Sequence, residues 1–548
     1  MFMKRSLVIF FLLAIAVVIM QPYPAQEAIE HSERIREQQS CETCDTKACT
    51  AIGIGKNATW DGSTICTQSA DCGECDFTLH YVSAADHKAG STKQIRKWTQ
   101  LSDGYVNKPG AVIAEIPETE HTYAYFRAVF GFMNEHGLAI GESTISSRLE
   151  LYPASDSEAA FDVTELSMIA MERCTRAREA IELMGSLAEE FGFKGSWAGE
   201  ALIITDGDEV WVFEIHPSDA HWKRSSGSGA IWCAERVPDD GFVVVPNESI
   251  IKEVNLKNDS FMASDNVFDV ALKNGWWDGK EPFRWDLAYS NRKANSLRTW
   301  RALSLAAPSL DLKPGAEDYP FSVRPDEKMT FFDIRDLHGD HFEGTAFDQT
   351  KGLAAGPFGD PNWPRANPEV EEYKPDRSIA IMNSEYVVIN QVRGWMPDPV
   401  KGVSWWGVDD GDTNCYVPFY CGVTQLPEAY SVGDHHALDL NSAFWIFNLA
   451  GNWARLRYRD MIKKINVEQR RIENSELSAQ PSIDKKAIEF YDKDPDEARE
   501  FLTDYCLRNA NNVLNRWRSL LNELVSEYDD NGGGPAPVWW CETVAESG

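Results

Sequence analysis

The chain has 548 residues, 43% hydrophobic and 25% charged, the balance of a soluble globular protein with room for a large core or for two or three ordinary domains. A formal net charge of −32 argues against nucleic-acid backbones and anionic membrane surfaces as partners. The sequence holds no Walker loop, no Rossmann glycine pattern and no GxSxG elbow.

Lys4 and Arg5 precede the apolar run "SLVIFFLLAIAVVIM", and small residues follow near Ala25. A basic n-region, a short apolar h-region and a small-residue exit predict a secretory signal peptide over 1–25. The alternative is an uncleaved signal anchor. An exported protein, periplasmic or extracellular, is expected, touching a membrane only through this segment before cleavage. Residues 26–48 are polar, lack a core-forming pattern and read as a spacer or propeptide. Of the twelve cysteines, Cys72 with Cys75 and Cys415 with Cys421 are local disulfide candidates. The two CxxC pairs Cys41/Cys44 and Cys72/Cys75 also raise a zinc site, although the first pair lies in the segment expected to be lost.

From Cys49 strand signals dominate. "CTAIGIG" and "STICTQS" flank "KNATWDG", whose Asp-Gly predicts a turn. A turn centred near residue 60 pairs position 49 with position 71, which brings the Asp71 carboxylate beside Cys49. One helix is expected from Asp162 to Phe191, opened by Asp162 and Glu165 as a capping box. Two hairpins follow: "ALIIT" with "VWVFEI" around "DGDE", then "AIWCAERV" with "FVVVPN" around "PDDG". Residues 310–375 read as long ordered loops. "SIAIMNSEYVVINQVRGW", "GVSWWGV" and "CYVPFYCGV" are further strand regions, and the C-terminal part is helical, with Leu507, Val513, Trp517, Leu520, Leu521 and Leu524 on one apolar face. Together these predict an α+β fold with antiparallel sheets, its main domain over 49–450, a helical part over 451–530 and a tail over 531–548.

A cysteine at a mature N-terminus carries its own base, because a free α-amino group titrates near pH 7.7–8.0 and an amide nitrogen does not. That amine takes the thiol proton and later returns it to a leaving amine, while a carboxylate orients it. The competing reading is a core cysteine, since cysteine is among the most buried residue types.

The stretch "ACTAIGIGKNATWDGSTICTQSAD" resembles the opening of the dipeptidase A-like peptidases. These are N-terminal-nucleophile cysteine hydrolases related to secernins and to the penicillin V acylase and bile-salt hydrolase group. "MNEHGLAIGEST", "GTAFDQTKGLAAGPFGDP", "RGWMPDPVKGVSWWGVDD" and "CYVPFYCGVTQLPEAY" extend the resemblance over roughly 49–470. It implies an αββα four-layer sandwich with the nucleophile at the head of a central strand.

It also implies roles for single residues. Cys49 matches the nucleophile and Asp71 the partner of the new amine. Asn247 matches an oxyanion asparagine of the wider group, the alternative being a strand-capping turn residue. Arg298, in "SLRTWRA", matches an arginine of the acylases, the alternative being a surface salt bridge. Thr144 falls where the acylases have a second oxyanion asparagine, which a hydroxyl reaches less well. Gln68 stands where acylases carry arginine; a neutral amide can hydrogen-bond the thiolate or the amine but cannot lower the cysteine pKa by charge.

"HGDH", with His338 and His341, reads as loop residues in structural hydrogen bonds rather than a metal site. Sequons occur at Asn57, Asn247 and Asn258. The reading is an exported cysteine dipeptidase acting on dipeptides without metal or organic cofactor. Its alternatives are an acylase cleaving a non-peptide amide, and a non-catalytic exported protein held by disulfides or zinc.

Overall fold

The computed structural model describes residues 49–72, 75–96, 110–195, 199–291, 295–352, 355–362 and 377–529. The signal segment and spacer, Cys41, Cys44, Cys541 and the tail lie outside them. Two antiparallel sheets organise the chain. The six-stranded sheet runs in the order Phe242–Val245, Thr50–Ile54, Thr64–Ser69, Tyr386–Val392, Gly402–Val408 and Tyr416–Tyr420. In the eight-stranded sheet the order is Phe261–Ala263, Ala230–Val237, Val210–Pro217, Gly199–Thr205, Ala139–Ile145, Gly131–Asn134, Tyr125–Arg127 and His80–Val82.

The central strands of both sheets are buried along their whole length, so they read as apolar runs rather than as alternation. The sheets face each other at close range. A Cβ on Gly141 would lie 2.2 Å from the Thr67 carbonyl oxygen, and one on Gly53 would lie 2.9 Å from Ile203 Cγ2. Thr205 Oγ1 donates to Thr64 Oγ1 across the gap at 2.6 Å.

Helices Val163–Arg173 and Ala177–Phe191 contact the eight-stranded sheet, where Trp232 Nε1 donates to Glu189 at 2.7 Å. Helices Ala443–Ala454, Tyr458–Tyr491 and Pro495–Glu527 contact the six-stranded sheet. Gln469 Nε2 caps the Asn414 carbonyl there at 2.5 Å, and Tyr420 donates to Asp484 at 2.7 Å. The expected boundary between 450 and 451 falls inside the first of these helices. No helix among the described residues is long and apolar enough to cross a membrane.

Five sequence expectations need correction. The single helix over Asp162–Phe191 is two helices, because Cys174 and Arg176 are extended and the Asn134 side chain takes the carbonyls of Met171 and Cys174 at 2.9 and 2.8 Å. Asp162 does accept from Glu165 N at 3.0 Å, but the Glu165 carboxylate turns away to Arg96 N, so the box is half made. "AIWCAERV" and "FVVVPN" are not a hairpin. Phe242–Val245 crosses to the other sheet and pairs with Thr50–Ile54, as befits a run buried on both faces rather than one. The region 310–375 contains the helix Phe331–His338, opened by a Thr330–Asp333 capping box. Cys72 and Cys75 form a disulfide, whereas Cys415 and Cys421 are free and buried. Cys421 Sγ instead donates to the Asp398 carbonyl at 2.9 Å.

The close approach at Gly141 yields a prediction. Gly141→Ala forces the two sheets apart or shifts backbone, and is expected to cost about 1–3 kcal/mol. A urea unfolding midpoint that does not fall would contradict the packing described.

Candidate active site

Cys49 immediately precedes the strand Thr50–Ile54, which lies between Phe242–Val245 and Thr64–Ser69. The register pairs Thr50 with Ser69 and Ala51 with Gln68. Continued one step, it sets Cys49 opposite Ala70, one residue off the pairing expected from the turn. Asp71 therefore stands one residue beyond that partner, and its charge helps to raise the Cys49 thiol. Its buried carboxylate is clamped by Ser69 Oγ at 2.8 Å, by Ser384 Oγ and by Arg377.

Arg298 gathers the other side of the site. It belongs to helix Leu297–Ala306, whose N-cap Ser296 accepts from Thr299 N at 3.3 Å. From there Arg298 Nη1 donates to the Cys49 carbonyl at 3.1 Å and to Thr50 Oγ1 at 3.0 Å. Nη2 donates to the Pro246 carbonyl at 2.7 Å and to Asn247 Oδ1 at 2.9 Å. Only 6% of the residue is exposed, so this is no surface salt bridge. Burial, and secondarily Arg377, lower the proton affinity of Arg298, against the pull of Glu248, Asp71 and Cys49.

Asn247 sits in the left-handed region at φ 64°, a conformation that asparagine tolerates better than most residues. Its Nδ2 donates to the Thr144 carbonyl at 2.7 Å and makes a long contact of 3.4 Å to Ser143 Oγ, while its backbone N–H donates to the same hydroxyl at 3.1 Å. Ser143 Oγ in turn donates to the Cys49 carbonyl at 3.3 Å. This engagement leaves the Asn247 sequon side chain inside the protein.

Two residues behave differently from expectation. The Thr144 hydroxyl turns to Glu142 Oε1 at 2.9 Å, so Thr144 meets Asn247 through its carbonyl. Both ends of the Gln68 amide go to Glu142: Nε2 donates to Oε2 at 3.1 Å, and Oε1 accepts from the Glu142 N–H at 3.3 Å. Gln68 therefore spends its amide on Glu142. Sequence reasoning missed Glu142, which is wholly buried, takes the Gln68 and Thr144 side chains and adds its charge to what keeps the Cys49 thiol protonated. Its signal was a carboxylate inside the otherwise apolar or small run "LAIGEST". Ser143, whose hydroxyl links Asn247 to the Cys49 carbonyl, was also missed.

Burial pushes the Cys49 thiol well above its ordinary range, and the charges of Glu142 and Asp71 push it further. Outside this cluster, His338 Nε2 bonds Thr67 Oγ1 at 2.7 Å, and His341 Nδ1 meets Glu343 at 3.3 Å. These are structural contacts, although His338 ends a helix rather than lying in a loop. A groove of about 690 Å³ lined by Trp60, Phe331, Trp395, Leu477 and Ile488 includes none of the Cys49 cluster.

A thiol heading a central strand, with a carboxylate, an amide and a guanidinium converging on its residue, is the equipment of a cysteine-type hydrolase. Residues 48–471 match Peptidase family C69, and the chain belongs to that family of cysteine peptidases. It is similar to a "Probable dipeptidase" of Latilactobacillus sakei, 24% identical over 505 residues that cover 88% of this chain and 96% of the relative. It is also similar to the "Probable dipeptidase B" of Lactococcus lactis subsp. lactis (strain IL1403), 27% identical over 73% of this chain and 79% of that one. "Dipeptidase A" of Lactobacillus helveticus is 23% identical over 75% and 82%.

With the thiol raised and Cys49 still in amide linkage, iodoacetamide is expected to label Cys49 slowly at pH 7 and faster with each step upward, without levelling off by pH 9. Peptide mass mapping reads this directly. A plateau reached below pH 8 would mean that the Arg298 guanidinium outweighs burial and the two carboxylates and holds the thiolate.

Proposed function

We propose that the protein is an exported cysteine dipeptidase of the N-terminal-nucleophile type, built as a four-layer αββα sandwich. The observation that carries this reading is Cys49 itself, at the head of a central strand with Arg298 and Ser143 on its carbonyl. Loss of residues 1–48 frees an α-amino group next to the thiol. The basic and then apolar N-terminus supports export, and the names of the relatives support dipeptides as the substrate class.

In this mechanism the α-amino group of Cys49 takes the thiol proton as sulfur adds to the peptide carbonyl. Asp71, fixed by Ser69, Ser384 and Arg377, orients the resulting ammonium. The second Nδ2 hydrogen of Asn247 has only its long contact to Ser143, and it is free to donate to the developing oxyanion. The ammonium protonates the leaving amine, and water resolves the thioester. No step calls for a metal.

N-terminal sequencing and intact mass of the exported protein test the reading first. A chain starting at Cys49 is expected, hydrolysing dipeptides, sparing N-acyl amino acids and keeping its rate in a chelator. Cys49→Ala is expected to abolish turnover, and Asn247→Ala to lower kcat by about 10²–10³. An active protein whose Cys49 is still joined to Ala48 would end the proposal.

A further inference from the structure

The mechanism above uses Arg377 only to hold Asp71. Arg377 precedes the strand Tyr386–Val392 and sends its guanidinium to the site, where Nη2 donates to Asp71 Oδ2. The Asp71 carboxylate is wholly buried, whereas 18% of the Arg377 side chain is exposed. The same Oδ2 accepts from Ser69 Oγ at 2.8 Å, and Ser69 Oγ accepts from the Thr50 N–H at 3.0 Å. Ser69 and Asp71 thus link this guanidinium to the residue that follows the nucleophile.

The two guanidiniums of the site are used differently. Arg298 gives its Nη atoms to four acceptors of the protein itself, two carbonyls, a hydroxyl and an amide, and is buried. Arg377 gives Nη2 to a carboxylate and keeps part of its side chain at the surface. The two cations oppose each other, since burial first and then the charge of Arg377 lower the proton affinity of Arg298. A free α-ammonium on Cys49 would join Arg377 at the one carboxylate of Asp71. Two cations on one anion leave a place for a second anion beside Arg377.

A dipeptide brings that anion. Its α-carboxylate stands on the Cα bonded to the scissile nitrogen, about one residue length (~3.8 Å) from the carbonyl that sulfur attacks. In the interior of a longer peptide the same position is a neutral amide. The planar fork of an arginine matches a carboxylate with two parallel hydrogen bonds, which a neutral amide cannot accept in the same way. We propose that Arg377 is a specificity-determining residue that binds the α-carboxylate of the leaving residue, so that the site takes the end of a peptide and rejects its interior. No bond is made or broken in this step. The guanidinium neutralises Asp71 while Cys49 is in amide linkage, and it is shared between Asp71 and the substrate carboxylate once the α-amino group is free. This assignment rests on Cys49 being the nucleophile and on dipeptides being its substrates.

The test uses the active protein as purified and two substrates, a neutral dipeptide and the same dipeptide with a C-terminal carboxamide. The kcat and KM for each are read in wild type, Arg377→Met and Arg377→Lys. Wild type is expected to favour the free acid in kcat/KM by at least about tenfold, as a charge-assisted contact provides. Arg377→Met is expected to raise KM for the acid about tenfold and to bring the acid-to-amide ratio close to one. Arg377→Lys, which keeps the charge without the fork, is expected to fall between. Loosening Asp71 slows both substrates alike, so the ratio separates carboxylate recognition from a merely structural role. A wild type indifferent to the carboxamide, or an Arg377→Met protein with the wild-type ratio, overturns the assignment. If Arg377→Met is inactive on both, Arg377→Lys is read in its place, and an unchanged ratio there overturns it too. Turnover surviving Cys49→Ala would instead remove the nucleophile and the reading on which this assignment rests.

Discussion

One buried guanidinium ties the site together. Arg298 bonds the carbonyl of Cys49 and the hydroxyl of Thr50 at the head of one strand, and the carbonyl of Pro246 and the side chain of Asn247 at the end of its neighbour. A planar fork with several donors can hold acceptors on both strands at once, which a lysine ammonium cannot do with the same geometry. The strand pairing of Thr50–Ile54 with Phe242–Val245 brings those acceptors together. Cys49 and Asn247, almost two hundred positions apart in the chain, are thereby neighbours.

The electrostatics around the sulfur run against the usual picture of an activated thiol. Burial, Glu142 and Asp71 all disfavour a thiolate, while Arg298 spends its donors on carbonyls, a hydroxyl and an amide. Gln68 is part of the same logic, since its amide engages Glu142 at both ends. A nucleophile kept protonated depends on a base that arrives with the reaction, and a free α-amino group on the same residue fits that need. Negative charge close by then favours the ammonium at least as much as it opposes the thiolate.

The strands around Cys49, the helical C-terminus and the antiparallel α+β character were legible because hydrophobic runs and turn residues are local signals. Asp-Gly at 61–62 announced the first turn, and Gly62 does adopt φ 89°. The helix break at Cys174–Arg176 was not legible, since it depends on Asn134 from another sheet strand taking the helix carbonyls. Nor was the crossing of Phe242–Val245 between sheets. Sequence places that run after a Gly turn, and a turn alone does not say which sheet receives the next strand. The register error of one residue at Cys49 has the same origin, because the centre of a long loop fixes strand pairing less tightly than a two-residue turn.

By itself, then, the sequence determined the identities that carry chemistry: a cysteine heading a strand, Asp71 beyond the next one, and Asn247 and Arg298 inside motifs that resemble a known family. Tertiary structure alone decided their working relations. It turned Gln68 and Thr144 toward Glu142, clamped Asp71 from three sides, and buried a second carboxyl, Glu200, on the neighbouring strand. Hydrogen-bond partners across two stacked sheets are set by register and by the close approach at Gly141 and Thr67, and neither quantity is written in any local stretch of the chain.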